Sequence, residues 1–456
     1  MSEVVVFVSA GMSSPKKRDH ALARRQLYLN YGALSLATTL SAAGYPAVLV
    51  HGEHETPESV LRGLISSGRM PTIYPLMLSI PSFYALSWAQ EFCRLLRNRL
   101  PSCRIIVGGR WVVGPDPDWL RTKLPEADVF APGLAEPYIK DLLTSTPLMG
   151  RPQVPRPDSP LDHTLVDGFL RYQPSVEASR GCGMRCGFCE ERDIPVDKLG
   201  PAGKTWATMK AVRDQYSGGE IRPYLQASMF LPSVRWANSL AEQVVRDSCR
   251  MQWRTESRVD VLMEETIGAL AAAGLTVLDL GLETASPRQI SAMKKSPKPD
   301  RYLERASRLL KACTRFGVQA KVNVLIYGGE TSKTLDETRV WLDEHAGDIA
   351  GVSVGPVVAY GPPKTAGPFL QELVGLGASP IDPDSAQETG ITRIHPSSEI
   401  DADEAEKLSL DMSRRYMNAD QYFRLKSFSY YSRDYGRAQF DQDAARSAPA
   451  RLPFRS

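Results

Sequence analysis

Three cysteines within eight residues restrict this chain more than any other feature of its sequence. Cys182, Cys186 and Cys189 have the spacing C-x3-C-x2-C, and glycines at 181, 183 and 187 lie among them. A glycine-rich loop can fold tightly, so thiols at this spacing predict a shared metal or catalytic site. The remaining cysteines are scattered, and we interpret them as buried structural thiols: Cys93, Cys103, Cys249 and Cys313.

The number of thiols separates the kinds of site that could form here. A structural zinc ion is normally closed by four protein ligands, usually in pairs, and no partner pair follows these cysteines. His163 lies upstream by itself, and a thioredoxin-type motif needs only two cysteines. Three thiolates suit a [4Fe–4S] cluster with one iron left open for an external ligand. The sequence therefore favours an open iron–sulfur cluster.

The length, the charge and the N-terminal residues predict the number of domains and the cellular compartment of the protein. With 456 residues the chain exceeds a single core, so two or three domains are expected. A net charge of +3 is too small to indicate a nucleic-acid partner. The acidic start with a five-residue apolar run predicts a buried strand rather than a signal peptide, and no apolar run approaches the roughly 20 residues of a membrane span. We therefore expect a cytoplasmic protein with reduced thiols and no membrane partner.

The first 150 residues alternate between strand and helix patterns. This alternation predicts an N-terminal α/β domain over 1–150, with a parallel sheet wound on both sides. Strands are predicted at 4–9, 45–52, 71–80, 103–109 and 127–133, and helices at 28–44, 56–68 and 82–100. No GxGxxG follows the first strand, so the dinucleotide fingerprint is missing. Ligands of such sheets bind at the carboxyl ends of the strands, which here carry Gly11, Gly52, Ser79, Gly108, Gly109 and Gly133.

A proline-rich linker is predicted at 151–170, and strand–helix units resume after it. Six strand-like runs over 171–363 alternate with helical stretches. The predicted strands begin near residues 174, 221, 251, 276, 319 and 351. Beyond them, 364–456 is predicted as a small helical and irregular region, with one long helix at 400–425 and an aromatic tail that packs on the barrel or over a cavity.

Several motifs resemble those of one enzyme family. The cysteine spacing, with Phe188 before the last cysteine, resembles the signature of the radical SAM superfamily. The sequence GLET at 281–284 resembles the GLES motif of that family, and 324–331 resembles its IxGxPGET motif. LSAAGY, IIVGGR and ADVFAPGLAEPYIKDLL resemble the cobalamin-binding-type domain fused to many of its members. DxHxxG is missing, and GLAE replaces the frequent GEGE, so bound cobalamin remains an open question.

The resemblance implies a fold, cofactors and residue roles. It implies a Rossmann-like domain of the cobalamin-binding type, a partial (β/α)6 radical SAM barrel, a [4Fe–4S] cluster on the three cysteines, and S-adenosylmethionine (SAM) on the open iron. Arg258 would bind the SAM carboxylate and Glu283 the ribose or amino group, unless the two form structural ion pairs. Gln226 and Ser228 would lie near the methionine moiety, unless they are plain loop residues. The residues that would flank adenine are Phe188 and the segment from Leu325 to Tyr327.

Two reactions and one binding role remain open. We favour radical dehydration of an amino sugar, because size and layout resemble the radical dehydratases of aminoglycoside deoxygenation. Glu190, Glu191 and Asp193 are then candidates for the acid and the base. The alternative is cobalamin-dependent radical methylation of carbon in a small natural product. A non-catalytic cobalamin or SAM sensor is a third hypothesis. The expected partners are a small-molecule substrate and an electron-donating reductase, such as flavodoxin or ferredoxin.

Overall fold

Two parallel sheets, each with its own apolar core, organise this protein. The computed structural model describes residues 3–13, 21–144 and 160–455. A five-stranded sheet comes first in the chain, and a six-stranded sheet follows it. A third, small antiparallel sheet lies further towards the C-terminus. This arrangement confirms the α/β fold that the sequence predicts. No helix in the described ranges is long and apolar enough to cross a membrane.

The five-stranded sheet has the order β2-β1-β3-β4-β5, with every pair parallel. Its strands are β1 (Val5–Ser9), β2 (Ala47–His51), β3 (Leu76–Ser79), β4 (Ile105–Gly108) and β5 (Val129–Ala131). Its helices are α1 (Tyr31–Ala42), α2 (Pro57–Ser66), α3 (Leu86–Arg99), α4 (Asp118–Lys123) and α5 (Ile139–Leu143). Apolar clusters cover both faces of the sheet, which explains the continuous apolar runs in the sequence.

The six-stranded sheet runs in chain order from β6 to β11, and all of its pairs are parallel. Its strands are β6 (Ser175–Glu177), β7 (Tyr224–Gln226), β8 (Trp253–Arg258), β9 (Leu275–Glu283), β10 (Gln319–Ile326) and β11 (Gly351–Pro356). Its helices are α6 (Ala202–Gln215), α7 (Val234–Arg246), α8 (Glu264–Ala272), α9 (Pro287–Ala292), α10 (Pro299–Arg315) and α11 (Ser332–Glu344). The largest apolar core lies between these strands and helices, as in a partial barrel.

The C-terminal region holds more regular structure than the sequence predicts. Its strands β12 (Ala359–Tyr360), β13 (Ser379–Ile381) and β14 (Ile391–His395) form an antiparallel sheet that was not foreseen. β12 and β13, with two and three residues, are too short to show a strand period. Its helices are α12 (Pro363–Gly375), α13 (Pro383–Thr389), α14 (Ala402–Arg415), α15 (Ala419–Ser427) and α16 (Arg437–Ala445). The single helix expected at 400–425 is therefore two helices, because Asn418 caps a new start by accepting from the Gln421 amide.

The aromatic tail packs against the inside of the barrel at the amino ends of its strands. Tyr431, Phe440 and Phe454 are buried in one cluster with Val277 of β9. Of the predicted linker, residues 151–159 lie outside the described residues. The part at 160–170 forms short 3-10 turns that pack on the first domain, with Leu161 buried. The predicted domain boundaries remain predictions.

Candidate active site

The cysteine loop follows β6 at the carboxyl end of the barrel. Gly181 and Gly183 have φ angles of 74° and 65°, and Arg185 adopts 57°. A side chain at Gly181 would overlap the Pro195 carbonyl, because the loop folds back on the segment after it. The Cys182 amide donates to the Ile194 carbonyl at 2.9 Å. Glycine is thus required where this loop makes its tightest turn.

The three thiols lie close enough to influence one another. Cys186 is buried, and Cys182 and Cys189 are half-buried. Burial raises the pKa of the Cys182 thiol and raises that of Cys189 to about 11, and the charges of the neighbouring thiols add to both shifts. In the described ranges no three His, Cys, Asp or Glu side chains are placed to hold a single metal ion. A [4Fe–4S] cluster binds its thiolates through different irons and supplies the positive charge they need, so these residues fit it.

Arg258 connects the end of β8 to the cysteine loop. Its Nη1 donates to Cys186 Sγ at 3.5 Å, and its Nη2 donates to the Lys295 carbonyl at 2.7 Å. Asp260 accepts from Nε and Nη2 at 2.9 and 3.1 Å. The structure therefore places Arg258 beside the site in a local ion pair. Its role at the SAM carboxylate remains a prediction.

Glu283 ends β9 in a conformation that is unusual for its residue type. Its φ angle is 65°, and the ladder to β10 shifts register beside it. Buried Lys295 pairs with Glu283 Oε1 at 3.4 Å and donates to the Gly281 carbonyl at 3.0 Å. Strained backbone of this kind concentrates at functional sites. Glu283 therefore remains a candidate for binding the SAM ribose or amino group, and Lys295 already supplies it with a cationic partner.

The other predicted site residues gather on the same end of the barrel. Phe188 and Tyr327 have ring centroids 6.3 Å apart, and both belong to an apolar cluster that includes Leu325. Gln226 and Ser228 are half-buried along β7 and just beyond it, and Gln226 Nε2 donates to Ser175 Oγ at 3.1 Å. An apolar wall thus faces polar groups across the cysteine loop. The assigned roles of these residues remain predictions.

A second feature is a cavity of about 360 Å³ at the carboxyl edge of the first sheet. Four of the residues that the sequence places at strand ends line it: Ser79, Gly108, Gly109 and Gly133. Gly109 has a φ angle of 133° and lies against the Ile80 backbone, where a side chain would overlap. The cavity continues into an apolar slot between the sheet and the helices α1 and α5, lined by Phe7, Leu36, Met77, Ile106 and Leu142.

Sequence reasoning missed Asn30, which organises this edge. Its Nδ2 donates to Ser9 Oγ and Ser79 Oγ, both at 3.0 Å, and its Oδ1 accepts from the Ala33 amide as the cap of α1. The signal was an asparagine directly before a helical pattern. A glycine-lined edge with a polar cluster and an apolar slot fits a large, flat ligand with a narrow apolar extension, which describes cobalamin.

His51 also lines this cavity and was missed. Its Nε2 accepts from the Asn30 amide at 3.0 Å, so Nδ1 carries the ring proton in the neutral tautomer. The ring packs on Tyr172 at 5.0 Å, and burial lowers its pKa to about 4. His51 is therefore a neutral side chain whose Nε2 is occupied by the backbone.

Two ion pairs cross from the first domain to the barrel beside the cavity. Arg180 pairs with Glu136 at 2.6 Å and also with Glu177, and Arg110 pairs with Glu191 at 3.1 Å. Arg110, Glu136, Arg180 and Glu191 all line the cavity. The cavity thus extends from the sheet edge to the mouth of the barrel.

The three candidates for an acid or base differ in their surroundings. Glu191 is bound by Arg110, and exposed Asp193 pairs with Arg192 at 3.2 Å. Glu190 has a raised pKa because of burial and the neighbouring charge of Glu191. The assignment of an acid or a base among these three residues remains a prediction.

Comparisons with known proteins agree with this geometry. No family model matches the chain. A tryptophan 2-C-methyltransferase of Streptomyces laurentii is 26% identical over 205 residues, or 42% of this chain and 34% of that protein. An uncharacterised methyltransferase of Pyrococcus horikoshii is 24% identical over 189 residues, or 39% of this chain and 38% of that protein. The chain thus matches little more than a third of either relative.

Solved structures extend the likeness over most of the chain. OxsB, a cobalamin-dependent SAM radical enzyme solved with aqua-cobalamin, superposes with a TM-score of 0.59 over 75% of this chain and 52% of its own, at 16% identity. TsrM from Kitasatospora setae, a radical SAM methyltransferase solved with cobalamin and a [4Fe–4S] cluster, gives 0.54 over 78% and 72%, also at 16% identity. Both superpositions are longer than either domain alone. The chain has the fold of the cobalamin-dependent radical SAM enzymes.

The radical SAM fold explains why two separate features meet. The cysteine loop lies at the carboxyl end of the barrel, and the cavity lies at the carboxyl edge of the first sheet. The cavity reaches the neighbourhood of the cysteine loop, because Glu191, two residues after Cys189, also lines it. Arg180, one residue before the loop, lines the cavity from the barrel side.

Proposed function

We propose that this protein is a cobalamin-dependent radical SAM methyltransferase that methylates a carbon atom of a small molecule. When bound, the cluster and SAM supply a 5′-deoxyadenosyl radical, and cobalamin supplies the methyl group. Cys182, Cys186 and Cys189 hold the cluster, and the glycine edge and apolar slot of the first domain hold cobalamin. The observation that carries the proposal is the cavity that joins the sheet edge to the barrel mouth.

The chain's own residues would orient the reactants. Arg258 fixes Cys186 by a hydrogen bond, and the apolar wall of Phe188, Leu325 and Tyr327 would exclude water from the adenosyl group. The ion pairs of Arg180 and Arg110 would keep the first domain against the barrel. A reductase that feeds the cluster and a cytoplasmic location remain predictions from the sequence.

Methyl transfer replaces dehydration as the preferred reaction. The two matched relatives with curated names are both methyltransferases, whereas nothing in the comparisons supports dehydration or an aminoglycoside substrate. The cavity also gives the first domain a ligand site, which dehydration would leave without a use. Dehydration of an amino sugar therefore has no specific observation in its favour.

Cobalamin retention is the direct test. The protein, reconstituted anaerobically with its cluster, is mixed with hydroxocobalamin and desalted, and the corrin absorption is read. About one cobalamin per chain is expected. No retention by a protein with an intact iron–sulfur band would overturn methyl transfer. Retention without reductive cleavage of SAM would instead favour a cobalamin sensor.

Position 108 offers a matched pair of variants. Gly108 lines the cavity, and a methyl group there would meet the Ala131 carbonyl only at 3.9 Å. Gly108→Ala should therefore keep cobalamin, whereas the bulky ring in Gly108→Phe should prevent its retention. Both variants should keep the iron–sulfur band and yield 5′-deoxyadenosine from SAM. Equal cobalamin retention in the two variants would place the ligand elsewhere.

A further inference from the structure

The inner side of the barrel is a chamber rather than a packed core. Along β9 and β10, the residues that point towards the helices are buried, whereas Gly281, Asn323 and Leu325 between them are half-exposed. The same alternation gives half-exposed Gln226, Glu256, Ser353 and Gly355 on the neighbouring strands. Interiors of closed barrels are normally filled by branched apolar side chains. Small and polar residues in their place leave room for a polar substrate.

The floor of this chamber is a closed ion cluster. Arg254 pairs with Asp279, and Lys321 Nζ lies 3.0 Å from the other oxygen of the same carboxylate. Arg254 Nη1 also donates to the Leu425 carbonyl at 2.7 Å, which ties the floor to α15. Lys321 donates further to Asn323 Oδ1 at 3.0 Å. These charges are buried and are satisfied by protein groups.

Glu256 lies between this floor and the Arg258 layer, and its surroundings differ. Its recorded hydrogen-bond partner is the Tyr224 hydroxyl, which donates to Oε2 at 3.4 Å. Within the described ranges, no basic side chain reaches salt-bridge distance of it. Burial and the charge of Asp279 raise its pKa to about 7, although Tyr224, Arg254 and Lys321 act in the opposite direction. A carboxyl group that is half-exposed to an enclosed chamber and has no cation beside it gains most from a cationic partner.

Glu256 differs from the other carboxylates of the chamber in its partners. Asp279 pairs with Arg254 and Lys321, Glu283 with Lys295, and Asp260 with Arg258. An ammonium group of a ligand would give Glu256 the cationic partner that the described residues do not supply.

Tyrosines surround the same place. The ring centroids of Tyr224 and Tyr430 are 6.4 Å apart, and those of Tyr430 and Tyr28 are 5.4 Å apart. Arg254 and Lys426 already lie over the Tyr430 ring, both at 4.8 Å. Tyr28 and Tyr31 line the cavity of the first domain, and the charges of Glu177 and Glu256 help to raise the pKa of Tyr31, so Tyr31 lies within electrostatic reach of both. Its ring therefore offers an organic ammonium group at Glu256 an aromatic neighbour.

We propose that Glu256 binds a protonated amino group of the substrate, so that the substrate class of this enzyme is small amines. This inference rests on the proposed function, because it assigns the chamber to the methyl acceptor. The ammonium group would lie on the floor side of the chamber and the carbon that reacts on the side of the cysteine loop. Glu256 then fixes the orientation of the substrate and takes no part in SAM cleavage.

Amine binding is tested on the reconstituted holoenzyme with two simple probes. Anaerobic titration calorimetry compares benzylamine with benzyl alcohol, which has the same shape but no charge. Wild-type protein should bind benzylamine at least tenfold more tightly than benzyl alcohol. Glu256→Gln should weaken benzylamine binding about tenfold and leave benzyl alcohol within twofold. Glu256→Asp should restore part of the loss.

Two controls separate this inference from the proposed function. Glu220→Gln removes a surface carboxylate that is 77% exposed, and it should leave benzylamine binding unchanged. Glu256→Gln should retain the iron–sulfur band, and the wild-type protein should form 5′-deoxyadenosine from SAM. No benzylamine binding by the wild type, or equal affinity in Glu256→Gln, overturns the inference. Loss of SAM cleavage in the wild type would instead contradict the proposed function.

Discussion

The two parallel sheets of this protein use their strands in opposite ways. β1 is buried at all five positions, and apolar side chains cover both faces of its sheet, so polar groups such as Ser9 and Ser79 occur only at the carboxyl edge. β10 is buried along its outer face, whereas Asn323 and Leu325 on its inner face are half-exposed. The first sheet therefore offers polar groups to a ligand at its carboxyl edge, where the apolar slot begins. The second can enclose one.

The largest expected effect separates the chemistry of the two regions. Cys186→Ala should abolish the iron–sulfur absorption and SAM cleavage, because the cluster loses a ligand. Cobalamin retention should be unchanged, since its site lies on the first sheet. Cys313→Ala, at a buried thiol behind the barrel, is the matched control and should keep the cluster. SAM cleavage that persists in Cys186→Ala would show that the loop does not hold the cluster.

The second prediction compares a filled face with an open one. Phe92 is fully buried under the first sheet and stacks on Trp88 at 5.0 Å, so Phe92→Ala should lower the free energy of unfolding by about 3–5 kcal/mol. Ser353 lies half-exposed on the chamber wall, and Ser353→Ala should change the free energy of unfolding by less than about 0.5 kcal/mol. Urea unfolding measures both. Equal losses would show that the chamber is packed after all.

The third prediction concerns pH, because His51 in the first domain and Glu256 in the barrel should change the stability of the protein with opposite sign as the pH rises. The pKa of His51 falls from 6.5 to about 4 on folding, so the unfolded chain takes up the proton first and stability falls as pH drops from 6.5 to 4. The pKa of Glu256 rises from 4.5 to about 7, so the unfolded chain loses the proton first and stability falls as pH rises from 4.5 to 7.

Variants isolate each contribution. Between pH 7 and pH 4, the free energy of unfolding of the wild type should fall by about 2 kcal/mol relative to that of His51→Asn. Between pH 5 and pH 8, it should fall by about the same amount relative to that of Glu256→Gln. Hydrogen exchange gives the opening free energies of β1 and β8 separately. Shifts of the same sign in the two strands would contradict the opposed environments.

The smallest expected effect concerns the surface between the regions. Arg69 pairs with Asp167 at 2.7 Å, and the two side chains are 37% and 52% exposed. Because water and salt screen such a pair, Arg69→Ala should cost about 0.2–1 kcal/mol in urea unfolding. A larger loss would indicate that this contact, rather than buried Leu161, holds the 160–170 segment on the first domain.

Local patterns predicted most of the fold. Apolar runs such as that of β1, helix caps such as Thr56 and the spacing of the cysteines all depend on a few neighbouring residues, so the two parallel sheets and the cysteine loop could be predicted. The short strands β12 to β14 could not, because their pairing depends on partners distant in the chain.

The chamber could not be predicted for a different reason. Arg254, Glu256 and Arg258 alternate with Trp253, Thr255 and Ser257, a pattern that is typical of a strand with one face in water. Only the curvature of the sheet and the cover supplied by α15 show that this polar face is enclosed. The same limit applies to Asn30, whose two serine partners lie on different strands.

The tie between Arg254 and the Leu425 carbonyl has a consequence for how the protein is made. Ribosomal synthesis proceeds from the N-terminus, so β6 to β11 emerge before the segment that closes the barrel floor. Until α15 arrives, the guanidinium of Arg254 must stay hydrated, and the tyrosines and phenylalanines that later cover it are absent. The nascent barrel is therefore an open, water-filled cup until α15 and the aromatic segment that follows it have been synthesised.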